Sequence, residues 1–264
     1  MALFLLSLAT TVGTQIVGLF GIFFVLGFLL SVVQKQTHRI YHRSIGWKGI
    51  LWTAWIGTPI HEWGHVVFCK LFYHRIIHIS LFEPNKDTGG LGSVDHSYNP
   101  KSIYQQVGNF FIGAAPMIFG SLFLVSLFIL SIPNAKTLFH VFSTGTVHLA
   151  TLPNALFVFF LDLAMSVDVM SWHFWLFLYI SFAVSSHIAP SKEDRLGMWK
   201  GFFWIVALIV IANTVALFLH TNLTAYVAMV NHVFPLLTAV FVYALLLSVC
   251  HLIVASIVLF PFKK

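Results

Sequence analysis

The feature that most constrains the fold is a set of long stretches without any charged residue. These stretches cover residues 1–34, 102–135, 169–191 and 201–262. A helix needs about 20 apolar residues to cross the hydrocarbon core of a bilayer. Each stretch is therefore long enough for one crossing, and the last is long enough for two. The sequence predicts an integral membrane protein that crosses the bilayer several times.

The composition supports a membrane setting. Hydrophobic residues make up 59% of the 264-residue chain, and charged residues only 8%, against about 25% in soluble domains. The net charge is +6, but the Lys and Arg residues lie between the apolar stretches, where they act as topology signals and contact lipid headgroups. We therefore expect the lipid bilayer as a partner and no nucleic acid. The two cysteines form neither a disulfide framework nor a metal-binding CxxC pair.

We predict an all-α polytopic membrane protein with one transmembrane domain over residues 1–264. About six spans are expected, at residues 3–33, 48–72, 103–131, 171–189, 198–219 and 233–260. Residues 136–170 contain Pro153 and several polar side chains, and we interpret them as an interfacial or amphipathic segment rather than a distorted seventh crossing.

A segment between the second and third spans has a different character. Residues 76–82 are rich in β-branched and aromatic side chains and predict a short strand. Residues 84–90 form a dense cluster of turn-forming residues, and residues 91–97 read as a returning strand. We therefore predict a β-hairpin insertion over residues 76–99.

The motif His61-Glu62-Trp63-Gly64-His65 indicates metal chemistry. On a helix, two histidines four residues apart project from one face and can reach the same tetrahedral zinc ion. Zinc lowers the pKa of a water ligand towards 7, and Glu62 is placed to take its proton. A glutamate is costly in an apolar span, which by itself suggests a functional site. The expected cofactor is one Zn²⁺ ion.

A zinc site requires at least one further protein ligand. The best candidate segment is residues 185–197, where Pro190 is expected to end the fourth span and carboxylates follow. Asp194 is our first choice of ligand, and His187 is the alternative.

The chain resembles the site-2 protease family of intramembrane zinc metalloproteases. The resemblance rests on HEWGH in a membrane helix, on the Gly-rich hairpin after it, and on the later segment from Pro190 to Gly197 with its acidic residue and glycine. The family implies a water-filled active site within the bilayer, near the cytosolic face. Its two motif histidines and its distant aspartate correspond to His61, His65 and Asp194, and its general base to Glu62.

In this family the hairpin helps to hold the substrate. The resemblance therefore implies that an unwound substrate segment pairs with the strand around Gly90, Leu91, Gly92, Ser93 and Val94. The third-ligand motif departs from the family pattern, because Ser186 stands where the family has asparagine and Arg195 stands where it has glycine. We also see no room for a PDZ or CBS domain. The chain is expected to be a compact, divergent member.

The expected function is zinc-dependent cleavage of peptide bonds in transmembrane or membrane-proximal substrate segments. Two alternatives stay open, a membrane zinc hydrolase with a non-peptide substrate and a non-enzymatic metal transporter. Glu62 argues against transport, which needs no general base beside the metal. We expect a multi-pass protein of a bacterial-type cytoplasmic membrane, with cytosolic termini indicated by the basic ending Lys263-Lys264 and by the family pattern.

Overall fold

The chain folds into membrane-type helices with one small sheet. The computed structural model describes residues 2–132, 135, 152–219, 221 and 234–262. Within them the helices are α1 Ala2–Ser44, α2 Trp47–Leu71, α3 Ile103–Ser131, α4 Leu152–Ser166, α5 Trp172–Ser185, α6 Lys192–Phe218 and α7 Phe234–Val258, followed by a 3₁₀ turn at Phe260–Phe262. Strands β1 (Arg75–Ser80) and β2 (Ser93–Ser97) lie between α2 and α3. A helical fold with a hairpin after the second helix is confirmed, and its long apolar helices are consistent with a membrane protein.

Four helices of the described chain are long and apolar enough to cross a membrane, at Phe4–Ser44, Ile103–Ser131, Lys192–Phe218 and Leu237–Val258. Helix α5 is apolar but has 14 residues, which cover only about 21 Å. That is less than the roughly 30 Å of a hydrocarbon core. Helix α2 has 25 residues and contains the HEWGH motif.

Two predicted boundaries at the loop before Asp194 are wrong. The fourth predicted span ends at Ser185 rather than at residue 189, because the Ser186 hydroxyl and the His187 ring bond back to the carbonyls of Phe182 and Ala183. The helix therefore ends before Pro190 is reached.

The next helix begins earlier than predicted, at Lys192 rather than at residue 198. Ser191 is its N-cap and forms a capping box with Asp194, in which each side chain bonds the other residue's backbone amide. Such a box satisfies free amides of the first turn. The segment that carries the proposed third ligand is therefore helical rather than a loop.

The first helix extends past the predicted end at Val33 as far as Ser44. Residues 34–44 are polar, but the Gln, Lys and Arg residues among them are good helix formers, so the helix can continue beyond the apolar stretch. Of the predicted interfacial segment, residues 136–151 lie outside the described residues. The remainder includes α4, and its interfacial position stays a prediction.

Helix α3 is the centre of the bundle and packs against α2, α5, α6 and α7. Of the most apolar part of α3, 61% is buried, against 11% in α1. Its side chains Met117, Leu124 and Phe128 are fully buried together with Val184 and Ile188 from the region of α5. The most deeply buried of the four long apolar helices therefore also stands beside both α2 and α6, which carry the predicted ligands.

The hairpin pairs β1 and β2 antiparallel, from Arg75 opposite Ser97 to Ser80 opposite Ser93, with an irregularity between Ile76 and His78. The two strands form a complete two-stranded sheet within the described residues, so each has an unpaired edge. The Asn85 side chain caps the turn by accepting from the amides of Asp87 and Thr88. The strands are shorter than predicted, but the hairpin is confirmed.

Candidate metal centre

The two motif histidines lie one turn apart on the inner face of α2. Their ring centroids are 5.1 Å apart. His65 is 7% exposed and Glu62 6%, whereas Trp63 between them is 48% exposed. The helix therefore turns its motif histidine and glutamate inward and its tryptophan outward.

Backbone carbonyls fix the orientation of both imidazoles. His61 Nδ1 lies 2.6 Å from the carbonyl oxygen of His187, and His65 Nδ1 lies 2.9 Å from that of Ile112. A carbonyl only accepts, so Nδ1 must donate in each ring, and in the neutral ring Nε2 then keeps its lone pair. This arrangement is typical of metal-ligating histidines, whose second nitrogen is held by an outer partner.

Asp194 meets the two free nitrogens from the first turn of α6. Its Oδ1 is 3.1 Å from His65 Nε2, and its Oδ2 is 3.5 Å from His61 Nε2. One ligand atom from each of the three residues lies within 4.8 Å of the others. Three acceptors thus surround one point, and a cation there satisfies all of them. The group can hold a metal ion, and its two nitrogens and one carboxylate match a zinc donor set.

Two glycines allow the supporting segments to approach closely. A Cβ on Gly113 of α3 would collide with the backbone carbonyl of Asp194, and one on Gly57 of α2 would collide with that of Ala183 near the end of α5. The Gly113 contact brings Asp194 towards His65. The Gly57 contact brings the His187 carbonyl within reach of His61.

His187, the alternative ligand, contributes its backbone rather than its ring. Its carbonyl accepts from His61, while its Nδ1 contacts the Ala183 carbonyl at 3.0 Å and the Ser186 hydroxyl at 3.1 Å. The imidazole is not in the group of convergent ligand atoms, which in the described chain comprises His61, His65 and Asp194. The geometry therefore favours Asp194 as the third ligand.

A pocket of about 890 Å³ surrounds these residues. Glu62 lines it beside both histidines and Asp194, and so do the hairpin residues Gly90, Leu91, Gly92, Ser93 and Val94. A Cβ on Gly92 would meet the carbonyls of Ser80 and Leu81 within the hairpin and the side chain of Thr58 of α2, so this glycine lets the hairpin lie close to α2. All the residues predicted for the site thus line one cavity, although the His187 ring is not among the convergent ligand atoms.

Sequence reasoning missed several parts of this site. Neither carbonyl that orients the histidines could be predicted, because a backbone acceptor leaves no mark in the sequence. The pocket also includes Gln34 and His38 from α1 and Lys200 from α6. The segment from Gly113 to Pro116 was a weak signal for the close approach of α3.

A histidine pair anchors the base of the hairpin outside the spans. His74 Nε2 donates to the Gln105 carbonyl at 2.9 Å, so its Nδ1 accepts from His96 Nδ1 at 3.0 Å. Burial, with the neighbouring His74 as a lesser cause, lowers the pKa of His96 to about 4. Burial also lowers the pKa of His74. Both rings are therefore neutral near pH 7, which the hydrogen bond between them requires.

Comparisons of the chain with protein-family models, with curated proteins and with solved structures find no match. The resemblance to site-2 proteases therefore stays a prediction from motifs. The function has to be argued from the geometry of the site.

Proposed function

We propose that the protein is a zinc-dependent intramembrane endopeptidase, related to the site-2 proteases as a compact and divergent member. One observation carries the proposal. His61 Nε2, His65 Nε2 and the Asp194 carboxylate converge in a pocket that also contains Glu62. This pocket lies among helices of membrane type.

The donor set supports zinc as the resident ion. Two imidazoles and one carboxylate are three protein ligands, and catalytic zinc sites combine three such ligands with one open position. When bound, zinc polarises a carbonyl oxygen and lowers the pKa of water. The residues that would hold it are His61, His65 and Asp194, with the carbonyls of His187 and Ile112 keeping the imidazoles in place.

Glu62 is the proposed general base. Its carboxylate would take a proton from the water whose oxygen attacks the peptide carbonyl carbon. When the C–N bond breaks, the same carboxyl would return that proton to the leaving amine. Asp194 is less suited to this role, because it already accepts from the Ser191 amide and faces both histidines.

The hairpin supports a peptide as the substrate. A transmembrane helix hides its peptide bonds in internal hydrogen bonds, so it must unwind before it can be cut. An unwound segment carries free amides and carbonyls. The edge of β2 that does not pair with β1 offers complementary groups, and residues from this strand line the metal pocket. We propose that the substrate adds to this edge as a further strand.

The membrane topology is part of the same proposal. Six crossings result if α2 spans the bilayer and if α5 crosses together with the non-helical residues 186–191. The polar lining of the pocket then gives water a route to an active site at membrane depth. With six crossings both termini lie on one side, and we propose the cytosol for that side.

The decisive experiment compares Glu62→Gln with Glu193→Gln in liposomes. Glu193 also lines the pocket but lies outside the metal-ligand group. Membrane peptides are supplied and products are identified by mass spectrometry. We expect Glu62→Gln to lower turnover by about 10²- to 10⁴-fold, with unchanged zinc content, and Glu193→Gln to keep most activity.

Two results would contradict the proposal. Equal turnover by Glu62→Gln and the wild type would remove the general base. Zinc flux across the liposome membrane that is insensitive to Glu62→Gln, without peptide products, would indicate a transporter.

A further inference from the structure

A second cavity, of about 1060 Å³, lies between α1 and the beginning of α6. On one side it follows a single face of α1 from Phe23 to His42, and on the other it is bounded by residues 189–191 and by Arg195, Met198 and Trp199. We call it the α1–α6 groove. It adjoins the metal pocket, because residues 189–191 line both cavities.

The two ends of the groove differ in chemistry. One end is apolar and is lined by Phe23, Phe24, Phe28 and Val32. Phe24 stacks face to face on Trp199 with a centroid distance of 5.4 Å, which joins the two walls there. Phe28 is 66% exposed, so the apolar end is open along its side to lipid. A hydrocarbon chain fits this end.

The other end is cationic. Lys35 and Arg39 lie one turn apart on α1, and Arg195 faces the groove from α6. None of the groove-lining residues in the described chain is an aspartate or glutamate, and none of these three cations forms an ion pair with a described carboxylate. Arg195 donates instead to the Pro190 carbonyl. The positive charge of this end is therefore not neutralised by the protein.

The length of α1 places these ends at different depths. Its 43 residues extend about 64 Å, roughly twice the thickness of the hydrocarbon core. The apolar segment before Gln34 can lie in the core while the segment with Lys35 and Arg39 reaches the headgroup layer. From its apolar end to its cationic end, the groove therefore matches a phospholipid, which has acyl chains at one end and a charged phosphate at the other.

We propose that the α1–α6 groove is a binding site for one anionic phospholipid. An acyl chain lies beside Phe28 and Val32, and the phosphate lies between Lys35, Arg39 and Arg195. This site differs from a general attraction of basic residues to lipid, because Arg43 and Lys48 are nearby and exposed but do not line the groove. The proposal does not depend on peptidase activity.

Native mass spectrometry of the detergent-solubilised protein tests the headgroup. Dioleoylphosphatidylglycerol and dioleoylphosphatidylcholine are titrated separately, so that only the headgroup differs. We expect one preferred phosphatidylglycerol per chain. The double variant Lys35→Gln/Arg39→Gln should weaken its binding by about tenfold or more, whereas Arg43→Gln/Lys48→Gln should change it by less than about twofold. Equal binding of both lipids, or equal losses in both double variants, would overturn the proposal.

A matched pair of variants tests the acyl chain. Val32 is 40% exposed and lines the groove, whereas Leu29 is 39% exposed and does not. Val32→Trp should fill the apolar end and weaken phosphatidylglycerol binding, while Leu29→Trp should leave it unchanged. Equal effects of the two substitutions would contradict the placement of the acyl chain.

A photo-crosslinker identifies the occupant directly. With p-benzoylphenylalanine in place of Phe28, irradiation in phosphatidylglycerol vesicles should add the mass of one phospholipid. Crosslinks to a membrane peptide or to a second copy of the chain, without lipid adducts, would show that the groove is a protein-docking surface and would overturn the proposal.

Discussion

Two polar clusters lie between long helices of this protein, and they are built in opposite ways. Gln15 of α1 and Asn213 of α6 are both buried and exchange two hydrogen bonds, of 3.1 and 2.7 Å. Each amide donates to the other and accepts from it, and Asn213 also donates to the Ile209 carbonyl, so the pair needs no ligand to satisfy it. In the metal centre, His61, His65 and Asp194 direct acceptors at one another.

The comparison separates a structural contact from a binding site. Donor and acceptor match in the Gln15–Asn213 pair, which can therefore hold α1 against α6 without any ligand. The metal centre has an excess of acceptors, because its ring N–H groups are already engaged with the carbonyls of His187 and Ile112. Polar residues in an apolar helix therefore indicate a binding site most clearly when their contacts with one another leave several acceptors without a donor.

The largest effect should come from removing the carboxylate of the metal centre. Asp194→Ala should lower zinc affinity by more than about a hundredfold, because losing a ligand exceeds the 10- to 100-fold typical of outer-shell changes. Glu193→Ala is the matched control and should leave affinity unchanged. Competition with a fluorescent zinc chelator measures both. Equal affinities for the two variants would remove Asp194 from the site.

A smaller effect should follow from moving Asp194 without replacing it. Gly113→Ala forces a Cβ against the Asp194 backbone, so α6 must shift, and we expect a loss of zinc affinity of about tenfold. At Gly197 the nearest atom to an added Cβ is 3.8 Å away, so Gly197→Ala is the control. If both variants bind zinc like the wild type, close α3–α6 packing does not position the ligand.

The Gln15–Asn213 pair should behave oppositely to the metal centre. Gln15→Leu should destabilise the protein by about 0.6 to 1.7 kcal/mol, the range of hydrogen bonds between membrane helices. Zinc affinity should not change. Gln15→Leu/Asn213→Leu should recover part of the loss, since it leaves no unpaired amide. Thermal unfolding in detergent, with Thr214→Val as a control, measures the effect. A fall in zinc affinity would contradict the distinction between the clusters.

The smallest expected effect is a dependence of the hairpin's stability on pH. Because the pKa of His96 is about 4 in the folded protein and about 6.5 when exposed, only the detached hairpin takes up a proton between these values. The His74–His96 contact should therefore stabilise the hairpin fully above about pH 6.5, and this stabilisation should weaken as the pH falls towards 4. Hydrogen exchange of β1 and β2 should show this acid sensitivity in the wild type and in His78→Gln, and less of it in His96→Gln, where His74 with its lowered pKa remains. The same sensitivity in His96→Gln would place its origin elsewhere.

The sequence was most informative where one residue type has one physical role. Charge-free stretches predicted the helical membrane fold, and α3 has the predicted bounds. The spacing of His61 and His65 predicted their common face. Asp194 could be proposed from its position after an apolar stretch, and the structure places it at 3.1 Å from His65.

Contacts made by backbone atoms could not be predicted. The capping box that starts α6 at Lys192 was missed, although Ser191 and Asp194 carry the signal for it. The carbonyls behind the two histidines depend on how α3 and the segment after α5 pack against α2. Packing between distant segments is set by small residues such as Gly57 and Gly113, whose partners a single sequence does not identify.

Zinc K-edge X-ray absorption of the purified protein tests the central claim most directly. The account predicts one zinc ion per chain with two imidazole nitrogens at about 2.0–2.1 Å and carboxylate or water oxygens at about 2.0–2.2 Å. Imidazole scattering should fall in His65→Ala. A sulfur scatterer at about 2.3 Å, which would implicate Cys69 or Cys250, or a preparation that binds no zinc, would contradict it.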